Sequence, residues 1–224
     1  MKLLKRVSDL TRFTVLKPGV ILAIPAIKKI NGYTMQTMPR VYQMQDHIEY
    51  VNEKNIEGAV VETGCWKGGL GAFMARFNRE VWLFDSFEGL PEMTEDDTEL
   101  VEQKNLEYNK KTGYIAVDQS HAETIAKKLG VKPNIVKGWF NETLPAYKDK
   151  IGKIAILRLD GDTYDSTLDA LEILYDNVSK GGLVVIDDFY DFEGCRKAVY
   201  DFFVKRRIAP KIHEYPFGRA YFVK

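Results

Sequence analysis

The sequence predicts an α/β fold in which helices cover both faces of a mostly parallel β-sheet. Short continuous apolar runs such as KIAIL and GGLVVI recur along the chain, as expected for strands buried on both faces of a sheet. Stretches of helical periodicity alternate with these runs, which is the order of successive β/α units. With 224 residues and no internal repeat or low-complexity linker, the chain is expected to form one main domain.

The first half of the chain supplies the first of these units. An apolar stripe of Val41, Met44, His47, Ile48 and Val51 predicts a helix over residues 40–55. It leads into the strand GAVVET at 58–63, a glycine-bearing turn with a second helix, and the strand EVWLFDS at 80–86. The acidic, irregular stretch at 87–117 follows the end of that strand, and we interpret it either as a lid over the substrate or as an ordinary helical insertion.

The second half continues the alternation. Helices are predicted at 118–130, at 139–147 with Asn141 as its cap, at 163–178 with SKGG as its end, and at 193–206. Strands are predicted at 133–138, 153–157 and 181–186, and the segments KIHEYPF and GRAYFVK form a closing antiparallel hairpin. Five alternating β/α units with a final hairpin are the layout of the seven-stranded, Rossmann-like class I methyltransferase sheet. Residues 1–39 are expected to form an N-terminal arm or cap on the domain at 40–224.

Composition excludes several classes of partner. The 32 basic residues equal the 32 acidic ones, so nothing favours nucleic acid, and no apolar run is long enough to span a membrane. The basic residues within 1–30 would allow weak contact with a membrane surface, although a solvated arm or a helix that forms a homodimer is the simpler interpretation. Cys65 and Cys195 are far apart, which predicts neither a disulfide framework nor a zinc site and favours a reducing, cytoplasmic location.

Acidic side chains follow two of the predicted strands. The motif RLDGDTYDST at 158–167 carries Asp160 and Asp162, and VVIDDF at 184–189 carries Asp187 and Asp188. If the two strands are neighbours, these carboxylates converge at the edge of the sheet where ligands collect. Converging carboxylates need a counter-charge, and an oxygen-only set suits Mg²⁺. Asp162 also has a structural interpretation, as the N-cap of the helix that follows it.

The turn after the first strand, VVETGCWKGG at 60–69, predicts a nucleoside cofactor site. Gly64 permits the sharp turn, whereas Trp66 stands where a dinucleotide motif has its second glycine. Glu62 would bind a cationic amino group of the cofactor, and Asp85, 23 positions later, would accept hydrogen bonds from the ribose hydroxyls with Ser86 beside it.

The loops after later strands are expected to border the adenine, and they bring in Ser120, Gly138 and Trp139. Trp139 either stacks on the base or fills the core. The whole motif also has a purely structural interpretation, as a strand, a turn and a helix.

Together, the blocks ETGCWKGG, WLFDSFEGLP, VKGWFNETLP, LRLDGDTYDSTLDALEILY and GGLVVIDDF resemble the macrocin O-methyltransferase family, whose members use S-adenosylmethionine and Mg²⁺ to methylate sugars. The resemblance covers most of residues 58–206, whereas the lid region and the first 30 residues match poorly and are expected to select the acceptor.

Matched residue by residue, the resemblance implies that Thr34 and Met35 contact the cofactor. It also implies that the metal is bound by Asp160, Asp187 and Asp188, and that Asp160 lies near the cofactor as well. Asp162 falls where some members carry the general base, whereas other members use a nearby histidine.

The sequence therefore predicts an S-adenosylmethionine- and Mg²⁺-dependent O-methyltransferase that acts on a sugar hydroxyl of a glycan or glycosylated natural product. A catechol-type Mg²⁺-dependent O-methyltransferase, a NAD-dependent oxidoreductase and a non-catalytic nucleoside-binding module are the alternatives. The identity of the sugar and the position of its hydroxyl are left open.

Overall fold

A computed structural model of the protein describes residues 18–97, 115–215 and 219–224. These residues form one sheet of seven strands in the order β3-β2-β1-β4-β5-β7-β6. The strands are β1 (Ala59–Thr63), β2 (Val81–Asp85), β3 (Asn134–Lys137), β4 (Ile154–Leu159), β5 (Val178–Ile186), β6 (His213–Tyr215) and β7 (Arg219–Val223). The first five run parallel, β7 runs antiparallel to β5, and β6 pairs antiparallel with β7, so the predicted fold class is confirmed.

Seven α-helices of the described residues connect or flank these strands. They are α1 (Pro18–Ile30), α2 (Met38–Glu53), α3 (Gly69–Met74), α4 (Ser120–Leu129), α5 (Phe140–Ile151), α6 (Tyr164–Leu174) and α7 (Glu193–Arg206). Short 3₁₀ turns at Ala75–Phe77 and Tyr175–Asn177 extend α3 and α6. All five residues of the predicted apolar stripe on α2 are buried, which confirms that helix.

The core has two layers, one on each face of the sheet. Apolar residues of α5, α6 and α7 pack on one face with Val61, Leu157 and Val184 of the strands. Apolar residues of α1 to α4 pack on the other face with Val60 and Ile156. Neighbouring strand residues thus serve opposite layers, as the pleat of a strand requires. The described part of the predicted arm, α1, belongs to the second layer, and the domain boundary at residue 39 stays a prediction.

Two predicted helix ends are wrong. Asn141 does not cap α5, because it lies inside the first turn and Trp139 occupies the N-cap position. The SKGG segment does not end the preceding helix, because it lies within β5. Gly181 has a positive φ of 80° there, and the register between β4 and β5 shifts at this point, so the glycines belong to an irregularity of the strand.

Most of the predicted lid, residues 98–114, lies outside the described residues. Its described beginning is tied to α6, because the buried Asp97 accepts a hydrogen bond from the Tyr164 backbone N–H at 2.7 Å. Within the described ranges, none of the helices combines the length and apolarity that crossing a bilayer requires. The cytoplasmic location stays a prediction.

Candidate active site

A cavity of about 580 Å³ lies at the carboxyl end of the parallel strands. Most of the predicted site residues line it, namely Met35, Gly64, Asp85, Ser86, Trp139, Asp160, Asp162, Asp187 and Asp188. The other four, Thr34, Glu62, Ser120 and Gly138, do not line it. The sheet therefore brings residues that are far apart in the sequence to one edge, as the carboxyl-end rule for parallel strands predicts.

The acidic residues of the two motifs converge because β4 and β5 are adjacent. Leu159 pairs with Ile186 in this register, so Asp160 and Asp187 are the next residues along the two strands. Asp160, Asp187 and Asp188 each present one oxygen within 4.8 Å of the others. Asp187 and Asp188 are buried, whereas the Asp160 side chain is 21% exposed. An ion that entered from the cavity would meet three carboxylates at once.

Two buried arginines contact this cluster, and the sequence reasoning missed both. Arg158 and Arg219 have no exposed surface. Arg158 donates from Nη2 to Asp187 Oδ1 at 2.7 Å, and Arg219 forms an ion pair with the same oxygen. The Arg158 Nη1 atom also lies 2.7 Å from Asp160 Oδ2 and 2.7 Å from Glu62 Oε1. Burial alone would raise the pKa of Asp187, but the two guanidinium groups outweigh it and hold that pKa well below its usual range.

The positive charges offset burial less at Asp160, Asp162 and Asp188 than at Asp187. Burial raises the pKa of Asp160 and Asp188 well above the usual range, with neighbouring carboxylates adding to the effect, and raises that of Asp162 to about 7. With Glu62 and Asp187, these residues make five acidic groups against two fully buried guanidiniums. Arg40, whose side chain is 22% exposed, adds a third positive group at 3.6 Å from Asp187 Oδ2. The cluster keeps an excess of acidic groups.

Asp162 has an unusual backbone conformation, with a φ of 60° in the left-handed region that aspartate and asparagine tolerate better than most residues. Its backbone N–H points to Asp188 Oδ2 at 3.3 Å. The N-cap of α6 is Thr163, whose hydroxyl accepts the Ser166 N–H at 3.3 Å. The interpretation of Asp162 as a helix cap is therefore wrong, and its side chain lines the cavity.

The turn after β1 forms the other side of the cavity. Gly64 has a φ of 88°, and a β-carbon at this position would lie 1.8 Å from the carbonyl oxygen of Asp160. Only glycine fits where β1 and β4 approach so closely. The turn then holds Asp85, whose Oδ2 accepts the backbone N–H groups of Cys65 at 2.8 Å and Trp66 at 2.7 Å. These hydrogen bonds fix the Asp85 carboxylate beside the turn, where it was predicted to bind the ribose hydroxyls.

Glu62 is 1% exposed and binds Arg158 through Oε1, while its Oε2 has no hydrogen-bond partner among the described residues. Burial raises the pKa of Glu62 to about 7, with Arg158 acting in the opposite direction. Trp139 is half-buried and lines the cavity, so it is not a core residue. The roles predicted for Glu62, Thr34, Ser120 and Gly138 stay predictions.

The connector between α1 and α2 reaches the acidic cluster through Gln36, which sequence reasoning also missed. Its Nε2 donates to Asp187 Oδ2 at 3.2 Å and to Asp160 Oδ2 at 3.5 Å, while its Oε1 accepts from Arg219. Its backbone N–H donates to the Thr34 hydroxyl at 3.1 Å. The segment that carries Thr34 and Met35 is thus attached directly to the acids.

Comparison with known proteins identifies the family. A family model described as "Macrocin-O-methyltransferase (TylF)" matches residues 27–224. The chain belongs to the macrocin O-methyltransferase family. The predicted family and enzyme class, an S-adenosylmethionine-dependent O-methyltransferase, are confirmed. The interpretations as an oxidoreductase and as a non-catalytic module are therefore wrong.

Relatives within this family cover most of the chain. It is 36% identical over 193 residues to a Streptomyces olivaceus protein named 8-demethyl-8-(2,3-dimethoxy-alpha-L-rhamnosyl)-tetracenomycin-C 4'-O-methyltransferase, which covers 82% of this chain and 72% of the relative. It is 32% identical to the mycinamicin III 3''-O-methyltransferase of Micromonospora griseorubida, over 82% of this chain and 75% of that protein.

Among solved structures, the O-methyltransferase NovP superposes with a TM-score of 0.76 at 31% identity, covering 86% of this chain and 82% of NovP. The calicheamicin methyltransferase CalS11 shares the fold, with a TM-score of 0.69 at 19% identity over 96% of this chain and 90% of CalS11. These likenesses support the class I methyltransferase fold of this member of the macrocin O-methyltransferase family.

Proposed function

We propose that this macrocin O-methyltransferase family member transfers the methyl group of S-adenosylmethionine to a sugar hydroxyl, with Mg²⁺ bound by Asp160, Asp187 and Asp188. The observation that carries the proposal is the convergence of three carboxylate oxygens within 4.8 Å in a cavity that Gly64 and Asp85 also line. This arrangement would hold a divalent cation beside a nucleoside cofactor. One of the relatives is named for a substrate that carries a dimethoxy-rhamnosyl group, which supports a sugar acceptor.

The donor set fits Mg²⁺. The three ligands are oxygens from carboxylates, the hard donors that Mg²⁺ prefers, and the described residues place no sulfur or imidazole ligand with them. Burial and the neighbouring carboxylates raise the pKa of Asp160 and Asp188, and a bound cation would instead favour their ionised forms. When bound, Mg²⁺ supplies positive charge that lowers the pKa of an acceptor hydroxyl.

Asp162 is the proposed general base. Its backbone adopts the left-handed conformation beside Asp188, and its side chain lines the cavity next to the proposed ligands. Strained backbone conformations of this kind cluster at active sites. A carboxylate here would accept the proton of the acceptor hydroxyl as the oxygen attacks the methyl group, a contribution of roughly 10²- to 10⁴-fold in rate.

Other residues of the site would position the methyl donor and the acceptor. Asp85, held by backbone N–H groups, would bind the ribose, and Glu62, through its unpartnered Oε2, would bind the amino group of the cofactor. Trp139 and Met35 also line the cavity, and both would contact the cofactor. Fixing the methyl donor and the acceptor oxygen in line supplies much of the remaining acceleration.

The test is a methyl-transfer assay with isotope-labelled S-adenosylmethionine. The acceptors are a rhamnosylated natural product and a catechol, each assayed in EDTA and after addition of excess Mg²⁺. We expect label on the sugar only, lost in EDTA and restored by Mg²⁺. Label on the catechol alone would favour the catechol-type alternative, and full sugar methylation in EDTA would contradict the metal role.

A further inference from the structure

We infer that Arg158 is a positioning residue shared by the cofactor site and the metal site. Its single guanidinium group orients Glu62 in the cofactor site and Asp160 and Asp187 in the metal site. The inference rests on the proposed function, since it assumes the cofactor role of Glu62 and the metal role of Asp160 and Asp187. It adds a residue that neither the motifs nor the family resemblance assigned.

The geometry follows from the register of three strands. Glu62 of β1 pairs directly with Arg158 of β4, so the two side chains leave the sheet on the same face. Asp160 lies two residues beyond Arg158 and thus on that face as well. Asp187 occupies the corresponding place at the end of β5. Strand pairing alone therefore gathers three acids around one guanidinium.

Arg158 engages one oxygen of each acid. Its Nη1 donates to Glu62 Oε1 and to Asp160 Oδ2, and its Nη2 donates to Asp187 Oδ1, each at 2.7 Å. In every case the guanidinium leaves the second carboxylate oxygen to other groups. For Glu62 that second oxygen, Oε2, is buried and has no partner among the described residues. Glu62 does not line the cavity itself, but a buried carboxylate oxygen without a partner is a group that a cationic ligand would satisfy.

Burial makes this contact hard to replace. Arg158 has no exposed surface, so water does not take over its hydrogen bonds when the side chain is shortened. Charge-assisted hydrogen bonds of this length fix both the position and the rotation of a carboxylate. Losing partners of this kind behind a metal ligand typically weakens metal binding by roughly 10- to 100-fold.

Arg219 provides a matched control within the chain. It is equally buried, forms an ion pair with Asp187 and donates a hydrogen bond to Gln36, but the described residues show no hydrogen bond or ion pair between Arg219 and Glu62. The charge of Arg219 acts on Glu62 without such a contact, and lysine keeps that charge, so Arg219→Lys should affect metal binding much more than cofactor binding. The comparison of Arg158 with Arg219 therefore separates a shared role from a general effect of removing a buried arginine.

The experiment uses the full chain with Arg158→Lys and Arg219→Lys. S-adenosylhomocysteine binding is measured by calorimetry in EDTA, Mn²⁺ binding by electron paramagnetic resonance without cofactor, and folding by thermal denaturation. We expect Arg158→Lys to lose roughly 10-fold or more in both affinities, measured separately. Arg219→Lys should lose Mn²⁺ affinity while its affinity for S-adenosylhomocysteine stays within about twofold of the wild-type value.

A folded Arg158→Lys that keeps both affinities, or loses only one, overturns the shared role. If this variant does not fold, Glu62→Gln decides, because Glu62 is linked to the acidic cluster through Arg158. Its Mn²⁺ affinity should fall by about fivefold or more, and an unchanged value would overturn the inference. A wild-type protein that binds both ligands but methylates no sugar contradicts the proposed function alone, whereas absent Mn²⁺ binding contradicts both.

Discussion

Asp187 and Asp188 are consecutive in the chain but have opposite electrostatic surroundings. Asp187 forms ion pairs with Arg158 and Arg219, and these two positive charges outweigh burial and lower its pKa. For Asp188, burial and the neighbouring charges of Asp162 and Asp160 raise the pKa well above the usual range. One acid is therefore held ionised by the protein, and the other needs an external cation. The two positions should respond differently to the same substitution.

Asp188→Asn is expected to abolish metal binding without destabilising the protein. The substitution removes a carboxylate that other acids repel, and the amide oxygen can still accept the Asp162 N–H. In EDTA at pH 8, the melting temperature should equal or exceed that of the wild type. Added Mg²⁺ should raise the melting temperature of the wild type only. Equal stabilisation of both proteins by Mg²⁺ would remove Asp188 from the proposed ligands.

Asp187→Asn should instead destabilise the fold. It leaves two fully buried guanidinium groups without their shared counter-charge, a loss of about 3 to 5 kcal/mol in the free energy of unfolding. Urea denaturation in EDTA measures this directly, with Asp188→Asn as the matched control. A loss below about 1 kcal/mol would mean that Arg158 and Arg219 do not depend on Asp187.

Asp162→Asn is expected to lower turnover by roughly 10²- to 10⁴-fold because the general base is lost. The variant should still bind S-adenosylmethionine and Mg²⁺. The matched control is Asp149→Asn, an exposed residue of α5 that does not line the cavity, which should keep nearly full turnover. Single-turnover kinetics with saturating S-adenosylmethionine and Mg²⁺ distinguish the two. Comparable turnover in the two variants would assign proton transfer to another group.

His47 should make the stability depend on pH. Burial and then the charge of Arg219 lower its pKa from 6.5 to about 3, and the imidazole packs between Tyr215 and Tyr221. The unfolded chain therefore binds a proton that the folded chain does not. The stabilisation is fully present above pH 6.5 and is lost as the pH falls towards 3.

Between pH 7 and pH 5 this residue should account for about 2 kcal/mol of the free energy of unfolding. Urea titrations of the wild type and of His47→Phe at both pH values measure the difference. The variant should lack this part of the pH dependence. Parallel losses of stability in the two proteins would show that His47 is not the responsible group.

Much of the fold follows from local pattern. The apolar runs become buried strands, and the carboxyl-end rule brings Asp160, Asp187 and Asp188 together as predicted. The segment SKGG was assigned to the end of a helix because glycine is a common helix stop. Its place in an irregular part of β5 is visible only from the shifted pairing with β4 and from backbone hydrogen bonds to the last residue of the chain. The predicted cap Asn141 lies two residues beyond the observed N-cap Trp139, the usual error of a boundary drawn from single residues.

The arginines of the site were harder to predict. Arg158 ends an apolar run, and its alternation with Asp160 was the available signal that both share one face. No local signal marked Arg219 or Gln36, because their contacts with Asp187 depend on how the last strand and the first connector pack against β5. Burial of a guanidinium at that edge is a tertiary property. Sequence reasoning thus found the acids but not the groups that orient them.

The most direct test of the account is a crystal structure of the full chain grown with S-adenosylhomocysteine and Mn²⁺, using the anomalous signal of manganese. We predict one strong peak about 2.0 to 2.2 Å from oxygens of Asp160, Asp187 and Asp188, with the nucleoside bound beside Asp85. An anomalous map without a peak among these three carboxylates, in a crystal where the cofactor product is bound, would contradict the proposed metal-dependent methyl transfer.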